Sequence, residues 1–228
     1  MENCMMQQNR QRTRVKICGL TRPEDVAAAI DAGADAIGLV FYPKSARYVT
    51  PEAAAQLLAH LPPFVQVVGL FVNASVEQVA QVVQQVPISL LQFHGDESVA
   101  HCCAVAEAVQ RPFIRAERIG PDTKPENLLQ SQHNYHAASR WFSGLLLDTL
   151  VDGYGGSGKG FDWSLIPKEL APRVVLSGGL SAHNVTGAVH QVRPWALDVS
   201  SGVEQAKGIK DAAKIHAFIA AVRAADSV

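Results

Sequence analysis

Arg14-Val15-Lys16-Ile17-Cys18-Gly19-Leu20-Thr21-Arg22-Pro23-Glu24 runs from strand through a glycine turn into a helix. The apolar run ends on a cysteine. Thr21 and Glu24 have the spacing of a capping box, and Pro23 suits a first helical turn. Side chains alternate along a strand, so Lys16 and Cys18 share a face. In parallel α/β proteins the C-terminal strand end is where chemistry is placed. A cation beside a thiol favours the thiolate, a better base or nucleophile. Cysteine is also a common small core residue, and this segment alone leaves both readings open.

The same rhythm repeats outward from that stretch. A helix over about Pro23–Ala32 leads to a strand at Ala36–Phe41, and Thr50-Pro51 opens a helix striped by Ala54, Leu57, Leu58 and Leu61. Gln66–Phe71 is the third strand, and Ser75 and Gln78 box the start of the next helix. Ser89–Phe93 is the fourth strand, followed by a helix over about Val99–Val109. Pro112–Ala116 is a short fifth strand and Pro125–Ala138 a helix. Gly144–Leu147, Val174–Leu176 and Ala196–Val199 complete eight strands, and a last helix covers roughly Lys210–Ala224. Eight strands, each followed by a helix, predict a single-domain (β/α)8 TIM barrel over residues 14–228, with residues 1–13 as a flexible N-terminal extension. The competing open doubly wound sheet usually has fewer strands, and no Gly-x-Gly-x-x-Gly follows the first strand.

Composition bounds the function without choosing it. The chain has 228 residues, 48% of them hydrophobic and 18% charged, with a net charge of −1. That balance gives no reason to expect nucleic acid or an acidic membrane as partner. No apolar run approaches the roughly 20 residues of a membrane span, and the polar start has no signal-peptide core. The four cysteines, Cys4, Cys18, Cys102 and Cys103, show neither disulfide-framework nor metal spacing, which fits a reducing cytoplasm.

Polar residues gather at the strand ends. Asp148 follows Gly144-Leu145-Leu146-Leu147; there it is a general acid or a loop-bracing carboxylate. Glycine turns follow the last three strands: Gly153–Gly160 (including Gly156), Ser177-Gly178-Gly179-Leu180, and Ser200-Ser201-Gly202-Val203. The first is not a Walker A loop. The late two lie where barrels commonly bind phosphate through backbone N–H groups. Arg47 can clamp a carboxylate with its planar fork or stand as a solvated loop cation. His94 ends the fourth strand; a lone histidine is more often structural, and the others lack metal-triad spacing.

Taken in order, these segments resemble the phosphoribosylanthranilate isomerase family from about Val15 to Phe218. The matching motifs are Lys16–Gly19, Asp31–Asp35, Ser45–Tyr48, Leu91–Gly95, Leu146–Asp148, Gly155–Gly158, Phe161–Trp163, Ser177–Leu180 and Asp198–Glu204. The departures, Ala46, Ser157 and Lys207-Gly208, fall in loops and remove no reacting group. The resemblance implies an Amadori rearrangement. N-(5-phospho-β-D-ribosyl)anthranilate becomes 1-(2-carboxyphenylamino)-1-deoxy-D-ribulose 5-phosphate, with no metal and no cofactor. It implies Asp148 as general acid, Cys18 as base, Arg47 on the anthranilate carboxylate, and the late glycine turns on the phosphate. His94, Gly156, Gly178, Gly179, Asp198, Ser200, Ser201 and Gly202 are the remaining implied substrate contacts. The related aminoimidazole carboxamide ribotide isomerases share the phosphate loops but use an aspartate where Cys18 stands. A phosphosugar-binding protein without activity needs the glycine turns but not both Cys18 and Asp148.

Overall fold

The computed structural model describes residues 12–150 and 160–227. Eight parallel strands close into one barrel in chain order: β1 Arg14–Cys18, β2 Ala36–Val40, β3 Gln66–Phe71, β4 Leu90–Phe93, β5 Phe113–Ile119, β6 Phe142–Thr149, β7 Val175–Leu176 and β8 Ala196–Val199. Around them lie α1 Pro23–Asp31, α2 Pro51–Leu57, α3 Val76–Gln85, α4 Val99–Val109, α5 Pro125–Ala138, α6 Val185–Val192 and α7 Ala212–Asp226. Among the described residues no helix is long and apolar enough to cross a membrane.

Strand alternation sorts the core into two layers. Val15, Ile17, Ile37, Leu39, Leu91, Phe93, Leu145, Leu147 and Leu197 face the helices. The opposite parity fills the barrel interior. Ile114, Ala116 and Leu146 form an apolar plug, and Cys18, Val40, Leu70 and Val72 form a second cluster. The same parity turns Lys16, Gln92, Asp148 and Asp198 inward, and all four are buried.

Helix starts follow local chemistry. Thr50, Ser75 and Ser98 accept hydrogen bonds from the backbone N–H three residues on, and Ser75 with Gln78 forms the expected capping box. The box read at Thr21 and Glu24 does not form. Arg22 is the N-cap residue of α1, and Thr21 Oγ1 instead donates to the Gly208 carbonyl at 2.6 Å. The helix still starts at the expected Pro23, without the Thr21 cap.

Three further differences reshape the expected pattern. β5 runs on to Ile119 and β6 starts at Phe142, paired along their length, so Asp148 lies within β6 rather than after it. Charged residues at 115, 117 and 118 hide that strand from an apolar count. After β6 the described chain makes two short 3-10 turns, Trp163–Leu165 and Ala171–Arg173, where a helix was expected. After β8 come a 3-10 turn at Ser201–Val203 and a two-stranded ribbon, β9 Glu204–Ala206 with β10 Ile209–Lys210. Asp211 therefore caps the last helix, which begins at Ala212, two residues after the expected start at Lys210. At the other end Thr13, assigned to the N-terminal extension by the sequence reading, is buried and hydrogen-bonded to Asp226.

Candidate active site

The C-terminal mouth of the barrel holds a cleft of about 770 Å³. Ten of the eleven sequence-predicted site residues line it: Cys18, Arg47, His94, Asp148, Gly178, Gly179, Asp198, Ser200, Ser201 and Gly202. Gly156 lies outside the described residues.

Cys18 ends β1 on one wall of the cleft. Gly38 of β2 makes room for it, since a Cβ there would meet Cys18 Sγ at 2.9 Å and Lys16 Nζ at 3.0 Å. Lys16 is paired in register with Asp198 of β8, and its Nζ lies 2.8 Å from Asp198 Oδ1 in a buried salt bridge. Burial alone would drive Lys16 toward the neutral amine, but Asp198 and then Cys18 outweigh it and raise its pKa above the lysine value. The Cys18 thiol is also pushed up, chiefly by burial. Lys16 pulls it down, Asp198 pushes it up again, and Lys210 pulls it down. Lys16 therefore favours the Cys18 thiolate in the expected direction, but burial outweighs it. Cys18 is buried, and Asp198, which pairs with Lys16, opposes the thiolate.

Asp148 stands on β6, across the barrel. Its Oδ1 accepts from the Thr149 backbone N–H at 2.9 Å, and its Oδ2 lies 3.2 Å from His94 Nε2. His94 Nδ1 in turn meets Gln92 Nε2 at 3.0 Å. His94 is therefore tied to the candidate acid.

Arg47 reaches in from the loop after β2. Its Nε and Nη2 donate to Glu204 Oε1 and Oε2 at 2.7 and 2.9 Å, a two-point fork. Lys210 Nζ donates to the same Oε1 at 2.9 Å and to the carbonyl of Ser200 at 3.1 Å. Ser200 Oγ donates to the Cys18 carbonyl at 3.0 Å. Glu204 is held below the ordinary carboxylate value: burial would raise it, but Arg47 and Lys210 prevail. Burial pushes Lys210 below the ordinary lysine value despite Glu204. Two cations share one carboxylate here, which favours an anionic group at this side of the cleft.

The glycine turns after β7 and β8 meet face to face. A Cβ on Gly202 would lie 1.9 Å from the Leu180 carbonyl oxygen, so only glycine allows this approach. Asn184 braces the first turn, accepting from Ser181 N–H and donating to the Gly179 carbonyl, both at 2.9 Å.

Sequence reasoning missed Gln92, Glu204 and Lys210 as members of this cluster. Gln92 had a signal: it is the polar residue of inward parity between Leu91 and Phe93. Glu204 stood only as the last residue of the Asp198–Glu204 motif, and Lys210 had no signal, because the β9–β10 ribbon that brings them together leaves no period.

A closed eight-stranded parallel barrel with its polar side chains gathered in a cleft at the C-terminal mouth defines the (β/α)8-barrel class. The family model described as N-(5'phosphoribosyl)anthranilate (PRA) isomerase matches residues 15–221, and the chain belongs to that family. It is similar to the N-(5'-phosphoribosyl)anthranilate isomerase of Herminiimonas arsenicoxydans, 68% identical over 216 residues that cover 95% of each chain. The crystal structure of the Thermotoga maritima phosphoribosyl anthranilate isomerase superposes with a TM-score of 0.81 at 43% identity, covering 93% of this chain and 99% of that one. A phosphoribosyl anthranilate isomerase in complex with reduced 1-(o-carboxyphenylamino)-1-deoxyribulose 5-phosphate superposes at 0.78 with 40% identity, covering 93% and 99%. The chain is an intramolecular oxidoreductase of the aldose–ketose type, acting in tryptophan biosynthesis.

Proposed function

We propose that Cys18 and Asp148 carry the Amadori rearrangement of N-(5-phospho-β-D-ribosyl)anthranilate as base and acid. The observation that carries this reading is their placement on β1 and β6, facing one cleft from opposite sides. Asp148 in its acid form gives its proton to the furanose ring oxygen, and the C1–O bond breaks as the anilino nitrogen lone pair forms a Schiff base. Cys18 as thiolate takes the proton from C2, and that electron pair returns to nitrogen as an enolamine. Tautomerisation then leaves a ketone at C2. The catalytic form therefore places the proton on Asp148 and the charge on Cys18. Lys16 and Lys210 favour that charge, while burial opposes it.

Arg47 takes the anthranilate carboxylate with the guanidinium edge that Glu204 leaves open, and the Gly178–Gly179 and Ser201–Gly202 turns take the phosphate. Fixing both anionic ends holds the reacting carbon between acid and base. Ser200 and Asp198 act from beneath. Ser200 braces the Cys18 backbone, and Asp198 holds Lys16. Free thiols at Cys18, Cys102 and Cys103 suit a reducing compartment, and we place the reaction in the cytoplasm.

The test is turnover of synthetic phosphoribosylanthranilate, followed by loss of its anthranilate-type fluorescence. Cys18→Ser and Asp148→Asn should each remain folded and lower kcat by about 10²–10⁴-fold or more. Near-normal turnover in a Cys18→Ser preparation removes the base assignment. An Asp148→Asn variant that is unstable but active shows a loop-bracing carboxylate instead.

A further inference from the structure

Gln92 is fully buried, yet it lines the cleft. Its neighbours in β4, Leu91 and Phe93, pack toward the helices, so strand parity aims its amide at the barrel interior. Its two polar atoms have unequal surroundings. Nε2 donates to His94 Nδ1 at 3.0 Å. Oε1 is buried and has no hydrogen-bond partner among the described residues. A buried amide oxygen is ordinarily paired, so an unpaired one inside a cleft points to a ligand donor.

A neutral imidazole has one donor and one acceptor nitrogen. With Nδ1 accepting from Gln92, the ring proton sits on Nε2, which faces Asp148 Oδ2 at 3.2 Å. That N–H is aimed at an oxygen of the carboxylate Asp148 becomes once it has given up its proton. We propose that Gln92 is a further working residue of this site. Its Nε2 positions His94 in the Nε2–H tautomer that stabilises the spent acid, and its Oε1 accepts a hydrogen bond from a hydroxyl or N–H of the phosphosugar. The proposal rests on the acid role of Asp148 given above. It adds a residue that acts through His94 on one side and touches substrate on the other.

The experiment uses the full chain with 15N-labelled histidine, together with Gln92→Leu and the near-isosteric Gln92→Glu. Long-range 15N–1H spectra of the ligand-free protein should show His94 with a protonated Nε2 and a bare Nδ1. Gln92→Leu should lose that single tautomer, and Gln92→Glu should move a proton to Nδ1. Affinity for the reduced product, 1-(2-carboxyphenylamino)-1-deoxyribulose 5-phosphate, should fall by about threefold to tenfold in Gln92→Leu, as for one neutral hydrogen bond. The kcat should fall by about tenfold or more, as for a weakened hydrogen bond to a charged group. A wild-type His94 protonated at Nδ1, or an unchanged tautomer in folded Gln92→Leu, overturns the positioning role. Unchanged affinity overturns the ligand contact. If Gln92→Leu does not fold, Gln92→Glu alone decides, because its carboxylate cannot donate to Nδ1. If the wild-type protein fails to isomerise the substrate, the acid–base reading falls, while the spectra still decide whether Gln92 sets the His94 tautomer.

Discussion

Replacing Lys16 with methionine removes one half of a buried ion pair and leaves the other half in place. Lys16 and Asp198 side chains are 5% and 6% exposed, so water cannot take over the lost contact. The remaining side-chain partner of Asp198 is Ser177, whose Oγ donates to Oδ2 at a long 3.4 Å. Breaking such a pair from one side costs about 3–5 kcal/mol, because a buried charge is left uncompensated. With a urea dependence of about 2–3 kcal/mol per molar, the unfolding midpoint should drop by about 1–2.5 M. The double variant Lys16→Met/Asp198→Leu removes both charges and should regain much of that loss. The same substitution tests the chemistry. Lys16 is the strongest influence pulling the Cys18 thiol down, so its removal should raise the thiol further. Alkylation of Cys18, followed by mass spectrometry of its peptide to separate it from Cys4, Cys102 and Cys103, should slow at fixed pH. A single variant that loses less than about 1 kcal/mol, or a double variant as unstable as the single, refutes the buried-charge argument. Unchanged alkylation refutes the electrostatic link to Cys18.

Other perturbations probe the binding ends. Arg47→Ala should weaken substrate binding by roughly tenfold or more, as expected for a lost charge-assisted fork of about 1.5–3 kcal/mol. The defect should shrink for an analogue without the ring carboxylate; equal losses for both compounds remove that assignment. Gly202→Ala forces the β8 turn away from the Leu180 carbonyl and should lower affinity for inorganic phosphate, measured as competitive inhibition. Unaltered phosphate inhibition places the anion elsewhere. Glu204→Gln concerns pH. The Glu204 value is depressed in the folded chain, so its stabilisation is present above the ordinary value of 4.5 and is lost as pH falls through the depressed one. The variant should be less stable than wild type near neutral pH, with the gap closing in thermal unfolding curves as pH falls below the ordinary value and through the depressed one. A gap that persists or widens in acid contradicts the sign.

The barrel was legible because its strongest signals are local. Helix starts such as Ser75 with Gln78, and strands such as Gln66–Phe71, depend on neighbours within a few residues, and both stand where the sequence placed them. Errors came where distant groups compete for a local donor or hide a local pattern. Thr21 abandoned its capping position for the Gly208 carbonyl, 187 residues away in sequence. Alternating charges hid the length of β5 until its pairing with β6 was visible.

The site divides along the same line. Cys18, Asp148 and the glycine turns after β7 and β8 do line one cleft, because each needs only the strand order to be placed. What the sequence could not supply is the charge state of the cleft, since that depends on which side chains face one another after closure. Lys16 beside Cys18 argues for a thiolate in isolation. Closing the barrel brings Asp198 of β8 against Lys16 and removes water, and the thiol's pKa rises instead. Closure likewise joins Arg47 to Glu204 and Lys210, so the guanidinium is held by a fixed carboxylate before any ligand arrives. A pre-oriented fork loses less freedom on binding than a solvated loop arginine would. Cys18, the proposed base, is held the other way: burial opposes its thiolate, while Lys16 and Lys210 favour it. On the roles proposed above, substitutions at Lys16 should alter turnover more than affinity, because they act on the charge balance at Cys18, while those at Glu204, which holds Arg47, should do the reverse.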